Sequence, residues 1–362
     1  MPFSLIGLGH LENTLSRILK SGRFPHALLL TGPRQGGKFT LAKDLAKALN
    51  CANPGPAADP CGVCLSCRKI EEGHHPDFLV LRPKGVSQII AVDDVRQLTY
   101  DLSYRPFEGK RRVAVIQRAD LFENVGGNAL LKTLEEPGPS AVLILTAVSE
   151  SRVMPTLVSR CVRLRVPPLS RARVLEALKA KLDLAGPRAE LLAGLANGAL
   201  GAALALDPES TWEGFVTLDL LLGQALEPTL KSYRAVGEWA SGAVAEIERL
   251  KKLEEGESKK VEPDLSALGQ RRAYYETIVS FLRLWWRDVL VLAITGAATR
   301  RLGPPPTPAM RKWAARLATE SGTEAYLQAI DLIEEALNRS LRSDLVFANY
   351  WLSLLTTNRL KA

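Results

Sequence analysis

Apolar residues cluster in five short runs over the first 165 or so positions: HALLLTGP (26–33), DFLVLRP (77–83), RRVAVIQRAD (111–120), AVLILTA (141–147) and VRLRV (162–166). Between them lie stretches such as TLAKDLAKALN (40–50), whose apolar positions recur at helical spacing. Strand-length runs alternating with helical patterns predict a parallel sheet with helices on both faces. After VPPLS (166–170) the strand signals vanish. VLEALKAKL (174–182) and ELLAGLANGALGAALAL (190–206) read as a small helical unit, and from about 209 to 362 the pattern is helical again. Two loops interrupt that last part: the charged EEGESKKVEPD (254–264) and GPPPTP (303–308). No internal repeat is visible. The fold class is α/β followed by all-α, in three parts: 1–166, 167–207 and 208–362.

Composition narrows this only slightly. The chain has 362 residues, of which 46% are hydrophobic, enough for a sizeable core and against general disorder. Its net charge of +8 and pI near 9.3 are compatible with a polyanionic partner but do not require one. MPFSLIGLGHLENTLSRILK shows no apolar signal core with a cleavage site. The most apolar helical stretch, 274–296, carries Glu276, Arg283, Arg287 and Asp288, so it reads as a core helix and not a membrane span. The expected location is the cytoplasm, with no membrane partner.

Four of the five cysteines, Cys51, Cys61, Cys64 and Cys67, form the pattern C-x9-C-x2-C-x2-C. Four thiolates suit tetrahedral Zn²⁺ and leave no open position, so the site is expected to be structural, in an insertion spanning 51–67. Disulfides fit poorly with a chain lacking a secretion signal, and a redox pair leaves two cysteines unexplained. His74 and His75 follow the cluster and read as loop residues.

The first apolar run leads into GPRQGGKFT (32–40), where Gly32, Gly37 and Lys38 match the phosphate-binding template G-x-x-x-x-G-K-[ST]. Phe39 stands where that template needs a hydroxyl for Mg²⁺. Thr40 cannot replace it, since one helical residue turns the side chain by about 100°. Where an acidic pair should follow the third run, the chain has Gln117 and Arg118, with Asp120 further on. The loop amides and Lys38 can still hold a phosphate, but both protein ligands of the usual Mg²⁺ site are missing. ATP and Mg²⁺ are therefore not expected to be used by this chain.

NALLKTLEEP (128–137), SRC (159–161), the four cysteines, GHLENTLSRILKSGRFPHALLLTGP and HHPDFLVL together resemble bacterial DNA polymerase III clamp-loader subunits, over residues 1 to about 205. The resemblance implies an AAA+ module, a small helical lid and a helical collar domain that assembles a five-subunit ring. Motor members of that family (gamma/tau) hydrolyse ATP. In this chain their P-loop hydroxyl and acidic pair correspond to Phe39, Gln117 and Arg118. Their sensor threonine falls near Ala147 or Val148, and their sensor arginine near Gly201. The combination resembles the family's non-motor stator branch, delta prime. The resemblance further implies that Arg160 is an arginine finger acting in trans on ATP held by an adjacent motor subunit. Implied partners are gamma/tau, delta, the sliding clamp and primed DNA, in a hetero-oligomer within the polymerase holoenzyme, a nucleotidyltransferase. Cys161 is read as buried packing. In the decapeptide, Leu130, Leu131 and Leu134 form one apolar stripe, Pro137 ends the helix, and Lys132, Glu135 and Glu136 point elsewhere. Two other readings stay open: a motor-type ATPase with a divergent loop, and a zinc-containing DNA-binding protein outside clamp loading. The second leaves Arg160 and the decapeptide without a role. The basic run Lys110, Arg111 and Arg112 reads as a solvated edge.

Overall fold

The computed structural model describes residues 9–83, 90–122, 124–138, 140–224, 263–296 and 301–317. Each of the five apolar runs forms a strand: β1 (Ala27–Thr31), β2 (Phe78–Leu81), β3 (Arg112–Ile116), β4 (Ala141–Ala147) and β5 (Val162–Arg165). All pairings are parallel, in the order β2-β3-β4-β1-β5. The runs do not alternate apolar with polar because both sheet faces are covered. Leu28, Leu30, Val113, Val115, Val142 and Ile144 pack on one face, and Leu29, Ala114, Ile116, Leu143 and Leu145 on the other. The first face is covered by α1 (Gly9–Lys20), α2 (Lys38–Asn50) and α3 (Leu65–Glu72), through Leu11, Leu15, Leu41, Leu45 and Ile70. The second is covered by α4 (Val92–Ser103), α5 (Asn124–Glu135) and the single turn α6 (Pro155–Val158), through Val95, Leu98, Leu130, Leu134 and Leu157. Each fully buried leucine contributes about 1.5–3 kcal/mol. At the β5 edge, Arg163 and Arg165 keep an otherwise unpaired strand from recruiting another.

The chain divides into two compact units, one of Met1–Ala177 with Asn197–Ala202, the other of Leu178–Ala196 with Ala203–Ala362. Strands end where the sequence pattern ends, and α7 (Arg171–Leu182) and α9 (Leu200–Leu204) both run across the division. In the second unit, α8 (Gly186–Ala196), α10 (Pro208–Gln224), α11 (Pro263–Thr295) and α12 (Pro308–Leu317) surround Phe215, Trp285, Trp286, Met310 and Trp313. All of the apolar 274–296 stretch except Gly296 lies in α11, and its buried Asp288 is satisfied by the Leu302 and Gly303 N–H groups, which it accepts at 3.0 and 2.7 Å. That carboxylate fixes the start of the GPPPTP loop, and Pro308 then opens α12, where its missing N–H costs nothing. Of the other expected loop, 254–262 lies outside the described residues, while Pro263 and Asp264 begin α11. The helical pattern expected beyond 317 also lies outside them. Among the described residues, no helix is long and apolar enough to cross a membrane.

Candidate functional site

The loop between β1 and α2 keeps its glycines for reasons internal to the fold. A Cβ on Gly32 would stand 2.2 Å from the Val166 carbonyl oxygen, because the chain after β5 crosses closely there. Val166 N–H donates to Thr31 O at 2.7 Å and fixes that crossing. Gly37 caps α2 in the left-handed conformation, φ 85°. Lys38 is buried, and its ammonium donates to the Gly32 and Pro33 carbonyls at 2.8 and 2.5 Å. Burial pulls this amine down to about 8; Arg118 and Arg34 push the same way, against Asp120. The lysine therefore ties the loop to itself.

The groups around the loop are committed in the same way. Phe39 packs against the core, with the Arg82 guanidinium 5.1 Å from its ring centre, so an aromatic–cation contact stands where a hydroxyl would hold a metal. Thr40 is exposed. Arg118 lies in the left-handed region, φ 61°, and its guanidinium pairs with the buried Asp120 carboxylate at 3.0 Å. Asp120 Oδ1 also accepts the Val148 N–H at 3.3 Å, and Thr146 Oγ1 accepts the Arg118 N–H at 3.2 Å. This carboxylate thus joins the ends of β3 and β4. Gly201 lies against the loop: its N–H donates to Gln35 O at 3.0 Å, and a Cβ there would come within 2.6 Å of that oxygen. No side chain fits at this position without displacing the loop backbone.

The Sγ atoms of Cys51, Cys61, Cys64 and Cys67 all lie within 4.8 Å of one another, and all four cysteines are free. Tetrahedral Zn–S bonds of about 2.3 Å need sulfurs about 3.8 Å apart, so small adjustments suffice. Cys51 Sγ accepts the Cys61 N–H, and Cys61 Sγ the Cys64 N–H, each at 3.3 Å. Such donors favour thiolates. Burial opposes ionisation of Cys64, yet the backbone N–H groups of Ala52 and Cys67 outweigh it and bring that thiol down to about 6. The cluster can therefore hold a metal ion. It joins the end of α2 to α3, alongside the contacts of Lys43 and Lys47 with Glu71.

His74 and His75 lie in the loop between α3 and β2, as expected, with His74 exposed and His75 buried. His75 Nδ1 accepts the Asp77 N–H at 3.1 Å. Asp77 in turn accepts the backbone N–H groups of Phe107, Glu108 and Gly109, at 2.7, 2.9 and 2.7 Å. Asn50 Oδ1 accepts those of Lys110 and Arg111. The basic run is thus clamped beside the cysteine cluster, with Lys110 Nζ donating to Cys51 O at 2.7 Å, and is not a free solvated edge. No local signal marks these pairs, because the partners lie about 30 to 60 residues apart.

Arg160 follows α6. Its Nε and Nη2 donate to Glu135 Oε1 at 3.0 and 2.6 Å, and its Nη1 to Thr156 O at 3.1 Å. Ser159 Oγ donates to the same carbonyl at 3.1 Å and shapes the turn. Cys161 is buried and apart from the cysteine cluster, and burial raises its thiol to about 11. In α5, Leu130 and Leu134 are fully inside and Leu131 is partly buried, while Glu135 is the last helical residue.

A parallel sheet with a phosphate-binding-type loop after β1, bordered by helices on both faces, defines a P-loop-type α/β module. Residues 8–170 match the family model described as DNA polymerase III, delta subunit. The chain is 36% identical over 216 residues to DNA polymerase III subunit tau of Escherichia coli, covering 58% of this chain and 33% of that protein. It is 39% identical over 174 residues to subunit delta' of Pseudomonas aeruginosa, covering 48% and 53%. The chain thus spans about a third to a half of the length of these curated relatives. A DNA polymerase III gamma subunit-related protein of Thermotoga maritima covers 96% of this chain and 99% of its own, at 19% identity and a TM-score of 0.47. Over its N-terminal module, the chain is thus similar to clamp-loader subunits of DNA polymerase III.

Proposed function

We propose that this chain is a delta prime-type, non-motor subunit of a DNA polymerase III clamp loader. In this reading it is a cytoplasmic stator that helps place the sliding clamp on primed DNA. Its partners are gamma/tau motor subunits and delta, and it turns over no ATP itself. One observation carries the reading: the groups that would serve a nucleotide in this loop are spent on the fold. Lys38 binds loop carbonyls, Asp120 is held by Arg118 and Val148, Phe39 fills the metal-ligand position, and Gly201 lies on Gln35. Arg160 is half-exposed on a short turn, where a guanidinium can reach a phosphoryl group on an adjacent subunit. Residues 167–207 are the lid and 208–362 the collar in this assignment. Cys51, Cys61, Cys64 and Cys67 hold one structural Zn²⁺, which supplies cross-linking and no chemistry.

Similarity to a tau subunit favours a second reading, a motor-type ATPase with a divergent loop. Reconstitution with the cognate motor subunit and delta separates the two. Arg160→Ala lowers hydrolysis at the adjacent motor site while the complex still assembles, within the roughly 10³–10⁵ range that arginine fingers supply. Unchanged hydrolysis in the assembled variant removes the finger role.

A further inference from the structure

The Arg160 guanidinium is held in a way that leaves one edge for a ligand. Glu135 Oε1 takes both donors of the side edge, Nε at 3.0 Å and Nη2 at 2.6 Å, and the Thr156 carbonyl takes one hydrogen of Nη1. The second hydrogen of Nη2 meets no acceptor among the described residues. That of Nη1 meets only Ser159 Oγ, at 3.4 Å, and this hydroxyl itself donates to Thr156 O. Nη2 thus keeps a donor for an anion, and Nη1 can join it by giving up its long contact with Ser159 Oγ, which makes the terminal edge the fork that a guanidinium offers a phosphate.

Glu135 sits where its own helix disfavours it. It is the last residue of α5, and a carboxylate there faces the negative end of the helix dipole. A residue set against its local preference needs a reason elsewhere in the fold, and Arg160, 25 residues on, supplies one. The pair is also too exposed, at 51% and 35%, to withhold the guanidinium from a polyphosphate. A weak pair of this kind can still select one rotamer of a long side chain and fix which edge points outward.

We infer that Glu135 is a positioning residue for Arg160: its carboxylate binds the side edge so that the terminal edge meets the phosphoryl oxygens of ATP on the neighbouring subunit. This rests on the finger reading above. The test uses the assembled complex with wild-type chain, Glu135→Ala, Glu135→Gln, Arg160→Ala and the double variant, with assembly checked by gel filtration. Glu135→Ala is expected to lower kcat for hydrolysis about tenfold, with KM for ATP unchanged. Glu135→Gln, which keeps an acceptor oxygen, restores most of it. Adding Glu135→Ala to Arg160→Ala lowers the rate by less than about twofold more, because the two act as one unit.

Normal or raised hydrolysis in Glu135→Ala, beside a slow Arg160→Ala complex, overturns the positioning role and leaves the finger standing. A double variant showing the product of the two single losses also overturns it, since Glu135 then acts apart from Arg160. Normal hydrolysis in Arg160→Ala removes the finger itself, and the inference falls with it.

Discussion

A glycine and a lysine that look like nucleotide-binding residues have other work in this chain. Gly32 faces the Val166 carbonyl so closely that no Cβ fits, so Gly32→Ala is expected to destabilise the protein by about 1–3 kcal/mol in urea unfolding, with no nucleotide present. A stability change under a few tenths of a kcal/mol would contradict the packing role. Lys38 is held below its ordinary value, at about 8, so the unfolded chain binds more protons than the native one between about pH 8 and 10.5. Native stability contributed by this site therefore rises with pH across that window. Measured as the difference between wild type and Lys38→Met, the gain is expected to be about 1–3 kcal/mol. A flat difference would show that the amine is not desolvated. The sequence alone places Phe39, Gln117 and Arg118 where a motor subunit's hydroxyl and acidic pair are expected. It does not show that Arg118 turns back on Asp120, because that depends on a left-handed residue at the end of a strand.

At the scale of elements, most of the fold was legible. All five strands lie in the apolar runs, since a strand buried on both faces needs a run of that kind. Helix α5 was marked by its leucine stripe and Pro137. The clamp that holds 107–111 was not legible, because Asp77 and Asn50 act through backbone N–H groups far along the chain. The leucine stripe of α5 leaves Glu135 facing away from the core, but its partner Arg160 emerges only when α5 and the turn after α6 pack together. The cysteine spacing was sufficient to locate the cluster that joins α2 to α3. Purified, reduced protein is expected to contain one zinc per chain. Cys64→Ser should lose it, with faster hydrogen exchange over 51–73 and little change in β1, β3 and β4, as a metal worth about 10 kcal/mol to its loop is removed. Retained protection over 51–73 without metal would show that the fold, and not the ion, holds the module.

For the whole molecule, the loop after β1 and the turn after α6 have separate roles in the proposed function. The loop after β1 is a packing element, and in the proposed stator role the chemistry lies on the turn after α6, directed at another subunit's ATP. Lys38 and Arg118 spend their donors inside the module, on loop carbonyls and on Asp120, whereas in the proposed role Arg160 keeps an edge for an external anion. The most direct measurement is single-turnover ATP hydrolysis by the reconstituted complex, carrying either Lys38→Met or Arg160→Ala in this chain. The account predicts wild-type hydrolysis with Lys38→Met and at least about tenfold slower hydrolysis at the adjacent motor site with Arg160→Ala. Loss of turnover with Lys38→Met and normal turnover with Arg160→Ala would contradict it.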